Sequence, residues 1–194
     1  MTNKQKIGLA VLASGSGTNA EKLIEYFKGH GQISVSLIVS NNPEAYVLER
    51  AKQAGIPYEV ITKNEWIDKD AVTDIFMTYD IDAVVLAGYL LLIPGWFIRM
   101  YPEKILNIHP ALLPHFGGKG MYGMHVHSAV IASGAKKSGI SIHVVNEKYD
   151  EGEIIYKADI LIQPGETAES LAKRIQNLEH KYYPMVVEQY LLKK

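Results

Sequence analysis

Asn107 and His109 stand two residues apart in KILNIHPALLP, residues 104–114. Side chains two apart on a strand share a face, so the pair points the same way, and Pro110 ends the ladder behind it. A polar pair at the end of an apolar strand is costly to bury unless it is hydrogen-bonded. The two side chains have complementary chemistry. An asparagine amide donates without titrating, which suits an oxygen gaining negative charge, and a histidine moves a proton near neutral pH.

A second candidate lies near the N-terminus. GSGTNA, residues 15–20, follows an apolar run and opens a helical pattern, and it fits G-x-G-x-x-G/A. Free N–H groups at a helix start attract an anion, and glycine lets the backbone approach it. A dinucleotide would need a carboxylate about 20 residues on, at the end of the second strand. That strand ends in Ser40 and Asn41. A single phosphate held by Gly17, Thr18 and Asn19 is the better reading, beside a tight turn that binds nothing. Asp150, in NEKYDEG, sits in a turn where aspartate is ordinary.

The elements needed to position these residues can be read from periodicity. KIGLAVLA, ISVSLIVS, PYEVI, DAVVLAG and KILNIH read as strands. Helical patterns lie between them over AEKLIEYFK, PEAYVLERAKQAG and NEWIDKDAVTDIFMTYD. Strands apolar on both faces, alternating with helices, predict an open, mostly parallel twisted sheet covered by helices, an α/β Rossmann-like fold. Such sheets bind ligands beyond the carboxyl ends of their strands, where the 14–19 loop, the segment after VVLAG and Asn107-x-His109 would all lie. After residue 110 the order changes to a glycine-rich loop, a helix at about 125–132, and an antiparallel hairpin of GISIHVVNE with EIIYKADILI. A long C-terminal helix follows, with Leu171, Ile175, Leu178, Tyr182 and Met185 at helical spacing and a kink expected at Pro184.

Composition narrows the function classes. The chain has 194 residues, enough for one well-buried domain, with 47% hydrophobic and 21% charged residues. Its apolar stretches are broken by Gly88, Pro94 and Gly95, so no transmembrane helix is expected, and the lysine-led start suits a first core strand better than a signal peptide. A net charge of −1 offers no basic field for nucleic acid, leaving small-molecule substrates. The absence of cysteine rules out thiol chemistry and agrees with a cytoplasmic, reducing setting. His125-x-His127 invites a metal, but two histidines two apart at a helix start diverge, and no metal is expected. His143 reads as a packed histidine or a support for a catalytic side chain. Lys136 and Lys137 read as a solvated turn.

LNIHPALLP followed about 40 residues later by YDEGEII resembles the Asn-His-Asp signature of the folate-dependent formyltransferases. SGSGTN, LERAKQAGIP, VVLAGY and NLEHKYYP extend the resemblance over residues 7 to 190. It implies one formyltransferase domain over 1–194, with about 1–100 binding a mononucleotide and about 101–194 carrying catalysis and the folate. The implied reaction moves the formyl group of 10-formyltetrahydrofolate to the amine of glycinamide ribonucleotide. Asn107, His109 and Asp150 would be catalytic, with Asp150 raising the His109 pKa above about 6.5. Gly17, Thr18, Asn19 and Glu179 would bind the ribonucleotide. Leu90, Leu91, Leu92, Ile93, Asn107, Asn146 and Tyr149 would bind the folate. Another amine acceptor, such as an amino sugar nucleotide, and a non-catalytic nucleotide-binding module are the alternatives, and the protein is expected as a monomer or homodimer.

Two stretches depart from the family pattern. Leu91 stands where arginine is common, and HFGGKGMYGMHVH, residues 115–127, replaces a compact Pro-Gly segment. Its glycines, with Lys119 and Tyr122, predict a mobile flap. A cation for the folate tail is expected from residues 63–69.

Overall fold

The computed structural model describes residues 6–193, so Lys4 of the lysine-led start lies outside the described residues. Among them, seven strands form one sheet: β1 (Ile7–Leu12), β2 (Ile33–Ser40), β3 (Tyr58–Val60), β4 (Ala83–Leu86), β5 (Ile105–His109), β6 (Lys137–Val144) and β7 (Ile154–Leu161), in the order β3-β2-β1-β4-β5-β6-β7. The first five strands pair in parallel, and β6 and β7 join antiparallel. Alternate side chains of each inner strand feed two cores, as a sheet covered on both faces requires. Leu9 and Val11 of β1 pack on one side with α1 (Thr18–Phe27), α2 (Tyr46–Ala54), α5 (Met124–Ala132) and α6 (Ala168–Lys193). Ala10 and Leu12 pack on the other with α3 (Lys69–Thr78) and α4 (Gly95–Met100).

The chain leaves β1 toward β2 on one side and later returns to β4 on the other, so the crevice between the β1 and β4 ends is the switch point where such sheets take ligands. Both loops at that crevice are stitched together. The Ser14 amide donates to the Gly88 carbonyl at 3.0 Å, and the Leu90 amide donates to Ser14 Oγ at 2.9 Å. Ser14 Oγ in turn donates to Asn41 Oδ1. The residue at the position tested for a dinucleotide carboxylate therefore braces the glycine loop.

Three details differ from the sequence reading. The helix expected over 64–80 is split, because Asp68 adopts an extended conformation and its side chain caps α3 by accepting from the Ala71 amide at 3.1 Å; only a 3-10 turn, Glu65–Ile67, precedes it. The six-residue α4 carries too little periodicity to be read. In α6 the buried row is Leu171, Ile175, Tyr183, Val187 and Leu191, while Leu178, Tyr182 and Met185 are only partly buried. Steps of four form the ridge that packs against a neighbouring layer, and the helix runs on through Pro184. The missing member of that row is Glu179, a carboxylic acid on an apolar stripe.

Candidate active site

A cavity of about 850 Å³ opens along the carboxyl ends of the strands, lined by residues 14–19, 86–93, 107–110, 118–124 and 145–150 and by one face of α6. Each segment arrives for a local reason. Gly17 has φ 72 and stands at the cap of α1 without a side-chain hydrogen bond, so the first turn of the helix presents backbone donors to the cavity. A Cβ at Gly17 would lie 2.5 Å from Val47 Cγ2, so the turn can hold only glycine without displacing α2. Thr18 Oγ1 accepts from Gln176 Nε2 at 3.1 Å, which joins the loop to α6.

Asn19 Nδ2 donates to Glu179 Oε2 at 2.9 Å, while Asn19 Oδ1 is buried without a protein partner. Burial pushes the Glu179 carboxyl up to about 7, against the lowering effect of the Asn19 amide. A buried carboxyl poised near neutrality beside an unpaired amide oxygen suits a ligand bearing N–H or O–H donors. Below it on α6, the Tyr183 hydroxyl donates to the carbonyls of Leu86 at 2.9 Å and Leu106 at 3.2 Å, tying the helix to the ends of β4 and β5.

At the other end of the cavity the strand pair and the distant aspartate meet. Asp150 Oδ2 is 3.4 Å from His109 Nδ1, and Asp150 Oδ1 accepts from Asn107 Nδ2 at 3.4 Å. His143 lies directly opposite Asn107 in the β5–β6 register. Its Nε2 is 3.0 Å from Asn107 Nδ2 and its Nδ1 is 3.1 Å from the Val144 carbonyl. An Nδ1–H donating to that carbonyl leaves Nε2 to accept the amide proton, whereas an Nε2–H donates to Asp150 Oδ1, 3.5 Å away. His109 Nε2 donates to the Phe116 carbonyl at 2.7 Å, and the Gly118 amide donates to Asp150 Oδ2 at 2.9 Å.

The charge balance of the pair corrects one expectation. Asp150 pulls the His109 pKa upward as anticipated, and so does the Phe116 carbonyl, but burial outweighs both and holds the imidazole below its ordinary 6.5. For Asp150, burial works upward; hydrogen bonding to His143, the His109 charge and the Gly118 amide prevail and keep the carboxyl below its ordinary range.

Leu90 and Leu92 present exposed apolar side chains on the cavity wall, and Leu91 is partly buried. Ile93 also lines the cavity but is 2% exposed and belongs to the core. Asn146 Oδ1 accepts from the Lys148 amide at 3.0 Å, shaping the turn that carries Tyr149 and Asp150 into the wall. No residue of 63–69 lines the cavity; its lysines are Lys119, Lys148 and Lys173. In the 116–124 segment, expected as part of a mobile flap, the Phe116 carbonyl accepts from His109 and the Gly118 amide donates to Asp150. His127 is buried on the cavity wall with Nδ1 unpartnered while His125 faces solvent, so the two diverge. Among the described residues no cluster of three or more acidic or histidine side chains could hold a metal.

Sequence reading missed the cavity roles of His127 and Gln176 and the partners of His143. The β5–β6 register would have placed His143 against Asn107, but a register is not visible in a single strand's pattern.

Fold and site together define an open-sheet α/β protein with a glycine loop at a helix start at one end of its cavity and a His–Asp pair at the other. The family model described as Formyl transferase matches residues 7–187. The chain is 44% identical over 185 residues to the chloroplastic phosphoribosylglycinamide formyltransferase of Arabidopsis thaliana, covering 92% of this chain and 63% of the relative. It is 36% identical over 187 residues to the phosphoribosylglycinamide formyltransferase of Bacillus subtilis, covering 94% and 93%. The crystal structure of glycinamide ribonucleotide transformylase 1 from Geobacillus kaustophilus superposes with a TM-score of 0.86 at 34% identity, over 94% of this chain and 97% of that one. The chain thus spans about three fifths of the plant relatives it matches and nearly the whole of the bacterial ones. It belongs to the formyl transferase family and, within it, to the phosphoribosylglycinamide formyltransferases.

Proposed function

We propose that this protein is an enzyme that transfers the formyl group of 10-formyltetrahydrofolate to the amine of N1-(5-phospho-D-ribosyl)glycinamide, giving formylglycinamide ribonucleotide and tetrahydrofolate in purine synthesis. One observation carries the reading: Asn107, His109 and Asp150 converge within 3.4 Å in the same cavity as the Gly17 loop and Glu179.

The ribonucleotide phosphate sits on the backbone donors of Gly17, Thr18 and Asn19, and Glu179 accepts from the glycinamide end. The folate packs its ring against Leu90, Leu91, Leu92 and Ile93, closed by Asn107, Asn146 and Tyr149. The acceptor amine attacks the formyl carbon, a carbon–nitrogen bond forms, and the formyl oxygen gains negative charge. Asn107 meets that oxygen with the amide proton now directed at Asp150, whose 3.4 Å contact is the weaker of its two. His109, protonated beside the Asp150 carboxylate, is a second donor to the oxygen through its Nε2–H, which it shares with the Phe116 carbonyl. As the bond to folate N10 breaks, His109 gives N10 a proton and is reprotonated by the one the attacking amine loses, so the two transfers balance. Asp150 stays ionised throughout and favours the imidazolium.

Mass spectrometry of the product tests the acceptor. With 10-formyltetrahydrofolate as donor, glycinamide ribonucleotide should gain one formyl group and an amino sugar nucleotide none; formylation of the sugar nucleotide alone would replace the acceptor and keep the strand chemistry.

A further inference from the structure

His109 has an acceptor at each ring nitrogen, and only one of them is a side chain. Asp150 faces Nδ1, and the main-chain carbonyl of Phe116 faces Nε2 at 2.7 Å. The same loop reaches the other partner two residues later, where the Gly118 amide donates to Asp150 Oδ2 at 2.9 Å. We propose that residues 116–118 are positioning residues for formyl transfer, their backbone gripping His109 and Asp150 at once and fixing the two in facing orientation. The proposal rests on the formyl-transfer reading for its consequence in turnover and on geometry alone for the grip.

Three features of the loop fit this role. Phe116 has φ 57 and Asp150 has φ 56, both in the left-handed region that non-glycine residues enter at a cost and that clusters at functional sites. Gly117 lies between them and has no such φ, but a Cβ there would meet Leu113 Cδ2 at 2.5 Å and Asp150 Cβ at 3.2 Å. The loop therefore lies tight against both Leu113 and the aspartate, and a methyl at 117 requires the chain and its neighbours to shift. Its underside is pinned as well: Lys157 Nζ donates to the Leu113 carbonyl at 2.5 Å, and Ser141 Oγ accepts from the Leu113 amide at 3.0 Å and donates to the Ala111 carbonyl at 2.8 Å.

Two acceptors around one imidazole are both satisfied only when both nitrogens carry protons. The Phe116 carbonyl thus shares with Asp150 the work of holding the proton that burial and His143 oppose. The other titratable groups around this end of the cavity are His127 on α5, Lys119 and Tyr122 of the loop, and Lys148 and Tyr149 before Asp150, with Lys157 of β7 beneath the loop and Glu179 of α6 at the far end. The ring's two partners are instead the Phe116 carbonyl and Asp150.

Gly117→Ala separates the grip from the rest of the site, because the new methyl pushes residues 116–118 away from Asp150 and removes no side chain. Nitrogen-detected NMR titration of His109 in the ligand-free protein should show its midpoint falling by about half a pH unit or more. The kcat for formyl transfer should fall about tenfold or more, with both KM values held within about threefold. A folded variant with an unchanged midpoint and unchanged kcat overturns the proposal. If Gly117→Ala does not fold, Phe116→Gly keeps the carbonyl and frees the left-handed backbone; a lower midpoint supports the grip and an unchanged one overturns it. The midpoint is read without substrate, so a wild type that transfers no formyl group defeats the functional reading while the titration still decides the positioning.

Discussion

Asn107 and His143 face each other across the antiparallel β5–β6 pair, with the amide nitrogen 3.0 Å from the imidazole Nε2. That contact fixes the amide orientation and commits one of its two protons to the protein. The other points toward Asp150 across the longer 3.4 Å contact and, in the proposed mechanism, is the one a substrate oxygen takes over. Asn107→Ala removes the donor and should lower kcat by about a hundredfold or more, with smaller changes in either KM. Steady-state kinetics on the purified variant decide it; a loss confined to KM would mean that Asn107 only binds.

Asp150→Asn keeps the shape of the turn and removes the charge. His109 is already below its ordinary value through burial, and losing the carboxylate lowers it further. The expected outcome is a kcat loss of about a hundredfold or more, with the pH–rate limb that reports His109 moved to lower pH. An unmoved limb would remove Asp150 from the proton chemistry.

Glu179 makes stability depend on pH. Its folded pKa of about 7 lies above the ordinary 4.5, so the folded state binds the proton more tightly than the unfolded chain. Below about 4.5 both states are protonated and the group costs nothing; between about 4.5 and 7 stability falls as pH rises, by up to roughly 3 kcal/mol. Glu179→Gln should flatten this slope and raise the thermal midpoint at pH 8, while weakening ribonucleotide binding. A slope between pH 5 and 8 that persists in the variant would assign it to another group.

Gly17→Ala meets both a left-handed φ of 72 and Val47 Cγ2 at 2.5 Å. Ribonucleotide affinity should fall about tenfold or more by calorimetry, with the thermal midpoint also lowered. Unchanged affinity would move the phosphate away from the glycine loop.

Leu92→Asp places a charge on the apolar wall without touching the His–Asp pair. The KM for the folate should rise about tenfold while that for the ribonucleotide stays put. Equal rises in both would mean that the wall belongs to neither substrate alone.

What could be read from the sequence followed from what repeats along it. Alternating strands and helices, the Gly17 turn and the Asn107-x-His109 pair each follow from local periodicity, and the open sheet follows from their order. Features that depend on distant parts of the chain were hidden. The split at Asp68 came from one cap outweighing a helical pattern, and the true buried row of α6 depended on which ridge met the sheet. The expected rise in the His109 pKa weighed a neighbouring charge without the burial around it. The bonds of residues 116–118 were hidden because they run from backbone atoms to the side chains of His109 and Asp150, which periodicity does not bring together.

The central claim is formyl transfer through His109, and absorbance of the folate product follows it directly. With 10-formyltetrahydrofolate and glycinamide ribonucleotide, the wild type should release tetrahydrofolate only when both substrates are present. His109→Ala should be slower by about a hundredfold or more while still binding each substrate. Equal rates in the two proteins would contradict the account, and so would a wild type that binds both substrates and transfers nothing.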